Sequence, residues 1–172
     1  MRKGYIQLYT GNGKGKTTAA FGVALRILGA GGRVYIGQFL KKGNFSEIRA
    51  FAVWGEKITI EQFGSGQFIV EGFSENDKLL AENGFAKCVK AIDSCDFDLV
   101  VMDEITLAVY LGLIDEENIL RVLRKKPDCV ELILTGRNAT DDIIEASDLV
   151  TEMREIKHYY KQGVAARVGI EE

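Results

Sequence analysis

The sequence is poor in the residues that build metal clusters and cross-linked scaffolds. Among its 172 residues are one histidine, His158, one proline, Pro127, and three cysteines, Cys88, Cys95 and Cys129. A single imidazole and cysteines without metal-like spacing argue against a zinc site. An odd cysteine count without paired spacing predicts reduced thiols, each buried, in a reducing compartment. No apolar run is long enough for a membrane helix, and Met-Arg-Lys-Gly-Tyr leads into a strand without a signal-peptide pattern. The net charge of −3 carries no positive excess that would mark a nucleic acid or an anionic membrane as partner. The basic run Arg124-Lys125-Lys126 reads as a solvated helix end. With 47% hydrophobic and 27% charged residues, and no repeat, linker or low-complexity stretch, residues 1–172 read as one globular domain, expected in the cytoplasm.

What is present is a phosphate loop. Thr10-Gly11-Asn12-Gly13-Lys14-Gly15-Lys16-Thr17-Thr18 follows a short apolar run, Tyr5 to Tyr9, and opens a helix-like segment, Thr18 to Leu28. A glycine-rich turn between strand and helix aims backbone N–H groups at phosphate oxygens, and the helix N-terminus adds its positive end. Lys16 would reach the phosphates as a point charge and the Thr17 hydroxyl would ligate Mg²⁺. The pattern departs from Gly-x-x-x-x-Gly-Lys-[Ser/Thr] at its first position, which is Thr10. It carries an additional Gly11-x-Gly13 and an extra cation, Lys14. The dinucleotide fingerprint fits less well, because Lys16 stands where a third glycine would fall.

Apolar runs recur at Val34–Phe39, Ile58–Phe63, Leu99–Met102, Val130–Leu134 and Leu149–Met153, with helix-like segments between most of them. These segments are Phe45–Trp54, Asn76–Ile92, Glu117–Leu123 and Asp141–Ala146, with Ser74 and Asp115 as candidate caps. The alternation predicts an α/β fold: a P-loop NTPase-like three-layer sandwich with a mostly parallel central sheet, and ligands at the carboxyl ends of the strands. Asp98-Leu99-Val100-Val101-Met102-Asp103-Glu104 is a buried strand ending in two carboxylates, the arrangement that holds Mg²⁺ opposite the loop threonine. Leu134-Thr135-Gly136-Arg137 ends at the same face, where a glycine lets backbone approach a ligand and Arg137 can pair with phosphate. Arg26 and the lone His158 read more readily as a surface residue and a structural residue.

In order along the chain, Tyr9 to Gly22, Ala24-Leu25-Arg26, Gln38-Phe39, Val100 to Glu104 and Leu134 to Arg137 form a recognisable series. It ends in Ala146-Ser-Asp-Leu-Val-Thr-Glu-Met-Arg154, Lys157-His158 and Gly163-Val-Ala-Ala-Arg-Val-Gly-Ile-Glu171, the most specific part. Over nearly its full length the chain resembles the corrinoid adenosyltransferases that act on cob(I)alamin or cob(I)yrinic acid a,c-diamide. The resemblance implies transfer of the 5′-deoxyadenosyl group of ATP to a Co(I) corrinoid, with release of triphosphate and ATP bound in an orientation reversed from other P-loop enzymes. It implies Mg²⁺ or Mn²⁺, a homodimer, and a flavoprotein as external reductant. Residues 12–18, with Gly11, would hold the triphosphate; Lys16, Thr17 and Glu104 would serve the reaction; Thr17, Glu104 and the adjacent Asp103 would serve the metal. Arg26 and Arg137 are carried over as further nucleotide contacts.

The chain departs from the family pattern in two places, the first bearing on the corrinoid and the second on the shape of the C-terminal loop. Where family members often read Gly-x-Gly-Phe-x-Trp, this chain has Gly64-Ser-Gly66-Gln67-Phe68-Ile69, so Phe68 and Ile69 become the candidate apolar wall. Glu155 and Lys161 stand where the family commonly has Pro and Asp. Two other readings of the phosphate loop stay open: a kinase or ATPase that cleaves the terminal phosphate, and a nucleotide- or corrinoid-binding regulator or carrier without turnover.

Overall fold

The computed structural model describes residues 3–66 and 73–171. Six strands are connected by helices in an alternating series. They are β1 (Ile6–Thr10), β2 (Val34–Phe39), β3 (Ile58–Phe63), β4 (Leu99–Asp103), β5 (Glu131–Thr135) and β6 (Leu149–Glu152). All strand pairs are parallel, in the order β3-β2-β4-β5-β1-β6. The strands expected from the sequence are all present, with ends displaced by a residue or two.

The strand residues alternate between two apolar layers, as the pleat requires. Val100, Met102, Leu132 and Leu134 point into one core, while Leu99, Val101 and Ile133 point into the other. The second layer is closed by α1 (Lys16–Gly29) and α2 (Ser46–Phe51), the latter running into a 3-10 turn over Ala52–Lys57. The first is closed by α3 (Glu75–Ser94), α4 (Ile105–Tyr110), α5 (Glu116–Lys125) and α6 (Asp141–Glu145). The start of α3 is set by a capping box in which Ser74 and Asp77 satisfy each other's backbone N–H groups. Asp115 caps α5 through the Glu117 N–H, as expected.

Two features were not expected. The six-residue α4 follows β4 directly, carries no charged residue and buries Ile105, Thr106 and Ala108, so it lacks the charged face that would have separated it from the strand. The cysteines also differ: Cys95 and Cys129 are joined in a disulfide, with Cα atoms 6.0 Å apart, and only Cys88 is a free, buried thiol. The expectation of three reduced thiols is corrected by sheet register. Leu99 of β4 stands beside Glu131 of β5, which brings Cys95 and Cys129, a few residues upstream of each, to the same edge. A sequence separation of 34 gives no sign of that meeting.

Among the described residues no helix is long and apolar enough to cross a membrane.

Candidate active site

The carboxyl ends of β1, β2, β4 and β5 open on one cavity of about 990 Å³. Its lining joins the phosphate loop (Asn12 to Thr18) to Lys41 after β2, Glu104 after β4 and Arg137 after β5. Residues of the C-terminal segment complete it, among them His158, Tyr160 and Glu171.

The loop is held by its own lysine and by the chain that passes behind it. The Lys16 ammonium, nearly buried, donates to the carbonyls of Gly11 (2.8 Å) and Gly13 (2.9 Å). Burial pulls its pKa below the usual lysine range, and the nearby Glu104 carboxylate acts in the opposite direction. Behind the loop, the Gly13 N–H donates to the Met153 carbonyl at 2.6 Å, just beyond β6. A Cβ at Gly11 or Gly13 would lie 2.5 or 2.7 Å from that same oxygen. Both glycines of the Gly11-x-Gly13 pair are therefore required by the close passage of the post-β6 backbone. The Gly11 side of the turn faces that backbone, whereas residues 12–18 face the cavity.

Asp103, fully buried at the end of β4, organises the opposite wall. Its Oδ1 accepts from the hydroxyls of Thr17 (2.8 Å) and Thr135 (2.7 Å). Its Oδ2 accepts from Lys41 Nζ (2.7 Å) and Gln38 Nε2 (3.2 Å). Each oxygen is doubly partnered, which is what a buried carboxylate needs.

Glu104 is the contrast. Its backbone lies in the left-handed region at φ 62°, and its N–H donates to Thr135 Oγ1 at 2.9 Å. Its Oε2 is buried without a hydrogen-bond partner, the only such side-chain atom among the described residues. Burial raises its carboxyl pKa above the usual range, Asp103 adds to this, and Lys41, Lys16 and Arg137 oppose it. A buried carboxylate oxygen left unpartnered beside three cations is suited to a ligand that brings its own positive charge.

That geometry tests the expected metal. No group of three or more His, Cys, Asp or Glu side chains suited to a metal is present among the described residues. A Mg²⁺ bound with a triphosphate does not need one, because phosphates and water complete its oxygen shell. Thr17 Oγ1, the unpartnered Glu104 Oε2 and the adjacent Asp103 form a hard-oxygen donor set of that kind, so the residues fit the ion.

The other expected residues are placed as follows. Arg137 lines the cavity. Gly136, at φ 143°, serves a contact within the protein: a Cβ there would lie 2.3 Å from Thr106 Oγ1, whose hydroxyl donates to the Arg137 carbonyl. Arg26 is exposed on the last turn of α1, about 15 Å along the helix from Lys16, and is not among the cavity's lining residues. His158 reaches the lining, with Nδ1 accepting from the Tyr160 N–H at 3.1 Å. Lys14 donates to the Ile170 carbonyl (2.7 Å) and pairs with Glu171 (3.3 Å), so the C-terminal segment lies against the loop. Phe68 and Ile69 lie outside the described residues.

Sequence reasoning passed over Lys41 and the cavity-lining role of Glu171. Lys41 carried a usable signal, a charged residue just past the carboxyl end of a buried strand. Glu171 entered only as part of a family signature, since nothing local shows that a distant tail folds onto the loop.

A parallel sheet with helices on both faces, a glycine-rich loop entering a helix from β1, and paired carboxylates after β4 define an α/β protein of P-loop NTPase-like fold. The family model of ATP:corrinoid adenosyltransferases BtuR/CobO/CobP matches residues 2–171, and the chain belongs to that family of enzymes. It is 34% identical to the corrinoid adenosyltransferase of Escherichia coli (strain K12), over 98% of this chain and 86% of that protein. It is 32% identical to the corrinoid adenosyltransferase of Pseudomonas aeruginosa, over 98% of this chain and 84% of that one. The corrinoid adenosyltransferase CobA of Salmonella typhimurium is 34% identical, over 98% and 86%.

Proposed function

We propose that this protein transfers the 5′-deoxyadenosyl group of ATP to the Co(I) centre of a corrinoid and releases triphosphate, in the biosynthesis or salvage of adenosylcobalamin. The observation that carries the chemical reading is the gathering of four cations, Lys14, Lys16, Lys41 and Arg137, with the unpartnered Glu104 carboxylate around one cavity. This arrangement suits a polyanion accompanied by a divalent cation. Membership of the family supplies the corrinoid.

Cobalt(I) brings the electron pair, the cobalt–carbon bond forms as the C5′–O bond breaks, and the triphosphate leaves with that bond's electrons. No general base is required. The protein's tasks are alignment, worth at most roughly 7–11 kcal/mol of the barrier, and neutralisation of the leaving triphosphate. Lys16 leaves the Gly11 and Gly13 carbonyls for the phosphates, Lys14 is drawn from the tail, and the loop N–H groups supply the remaining donors. Thr17 and Glu104 would hold Mg²⁺ or Mn²⁺, with Asp103 behind them, and that ion would supply further charge neutralisation. Phe68 and Ile69 would form the apolar wall beside the corrinoid. The exposed Leu149 and Val150 on β6, the edge strand next to β1, suit the homodimer that the family resemblance implies. A flavoprotein reductant and a cytoplasmic setting complete the proposal.

The test is anaerobic. The protein is mixed with MgATP and chemically reduced cob(I)alamin, the visible spectrum is followed, and the phosphate product is identified. A light-sensitive alkylcorrinoid with triphosphate is expected. ADP with an unchanged corrinoid would instead make the protein a terminal-phosphate-cleaving ATPase or kinase.

A further inference from the structure

One cation of the site has no task in the chemistry above. Lys41 follows β2, its side chain 24% exposed to the cavity, and its ammonium makes two contacts. It lies 2.7 Å from Asp103 Oδ2 and 3.2 Å from Thr17 Oγ1. These are a proposed ligand of the metal and the carboxylate that orients it. Lys41 therefore supplies positive charge at the place where the metal's charge is wanted.

The backbone around Lys41 aims it there. Leu40 sits in the left-handed region at φ 60°, a strained conformation for a branched side chain that only surrounding contacts can hold. Its N–H donates to the Phe63 carbonyl at 3.2 Å. Gly64 then passes so close that a Cβ on it would lie 2.6 Å from the backbone nitrogen of Lys41. The end of β3 thus fixes the turn that carries Lys41.

A divalent ion on Thr17 Oγ1 and an ammonium 3.2 Å from that same oxygen repel one another strongly at such separations. Both cannot occupy their best positions together. A lysine side chain has the length to leave Asp103 for the cavity, where an incoming polyanion offers it an alternative partner.

We propose that Lys41 competes with the metal: its ammonium occupies the place beside Thr17 and Asp103, yields that place to a metal arriving with triphosphate, and transfers its charge to the phosphates. The inference rests on the metal reading of this site. It has a thermodynamic signature. Metal alone binds weakly against the resident ammonium, whereas metal and triphosphate bind with positive coupling, because the polyanion draws the ammonium away.

The experiment is a Mn²⁺ titration of the full chain followed by electron paramagnetic resonance, with and without inorganic triphosphate, on the natural protein, Lys41→Met and Lys41→Arg. Lys41→Met is expected to bind Mn²⁺ alone about tenfold more tightly and to show weaker coupling between Mn²⁺ and triphosphate. Lys41→Arg, which keeps the charge, is expected to stay within about twofold of the natural protein. A merely structural lysine would give the opposite sign, since its loss would loosen the site and weaken metal binding. Equal or weaker Mn²⁺ binding by folded Lys41→Met therefore overturns the proposal and leaves the metal site standing. Failure of the natural protein to bind Mn²⁺ even with triphosphate overturns the metal reading itself, and this proposal with it. Lys41→Gln gives the same comparison if the methionine variant does not fold.

Discussion

Glu104 and Asp103 are sequence neighbours with opposite surroundings. Asp103 has four donors around its two oxygens, whereas Glu104 keeps one buried oxygen without a partner. A site that leaves a carboxylate so placed favours binding over stability. Glu104→Gln is expected to raise the stability of the ligand-free protein at neutral pH by about 1–3 kcal/mol while reducing adenosyl transfer by at least about tenfold. The sign follows from the raised pKa: the folded state prefers the protonated acid, so stability falls as pH rises through the folded pKa. The advantage of the glutamine variant should vanish below the ordinary carboxylate range, where both forms of Glu104 are neutral, and grow toward neutral pH. Thermal melts of both proteins across that window check it; a gap independent of pH would refute the titration of Glu104 as its cause. At this scale the sequence already pointed to the acidic pair. Which carboxylate is satisfied and which is not depended on Thr135, Gln38 and Lys41, all remote in sequence.

Among the elements, the phosphate loop was legible from glycine spacing and its strand–helix setting, but the reason for its atypical first half was not. Gly11 and Gly13 meet the Met153 carbonyl, which is some 140 positions along the chain. Gly22, in the middle of α1, carries no such constraint, since a Cβ there would meet nothing within 4 Å. Two alanine substitutions should therefore diverge. Gly13→Ala is expected to cost about 1–3 kcal/mol of stability and to weaken ATP binding, because the loop and the post-β6 chain must separate. Gly22→Ala should stabilise by roughly 0.5–1 kcal/mol and leave ATP affinity unchanged. Chemical denaturation with calorimetric titration of ATP reads both. The helix α4 was missed for a related reason. Its ordinary periodicity is hidden because Ile105, Thr106 and Ala108 are all buried, so tertiary covering rather than amphipathic pattern sustains it.

Across the whole molecule, long-range pairing decides what local reading leaves open. The Cys95–Cys129 disulfide closes a loop over 34 positions, joining the end of α3 to the approach to β5 at the ends of the strands remote from the cavity. Its reduction is expected to lower stability by roughly 3–4 kcal/mol in the chain-entropy account without changing ATP affinity. Thiol titration of the unfolded protein should count one free cysteine before reduction and three after it. Three thiols before reduction would show the bridge to be absent in solution. The sequence by itself determined the strands, because their apolar runs and glycine punctuation act locally. It also determined the glycine-rich turn between β1 and α1, because that turn is read from residue spacing within a few positions. Only the tertiary structure decided that Lys41 shares Asp103 with Thr17 and that Glu171 reaches Lys14. Those outcomes depend on strand order and register, which bring together residues whose sequence separation carries no sign of their meeting.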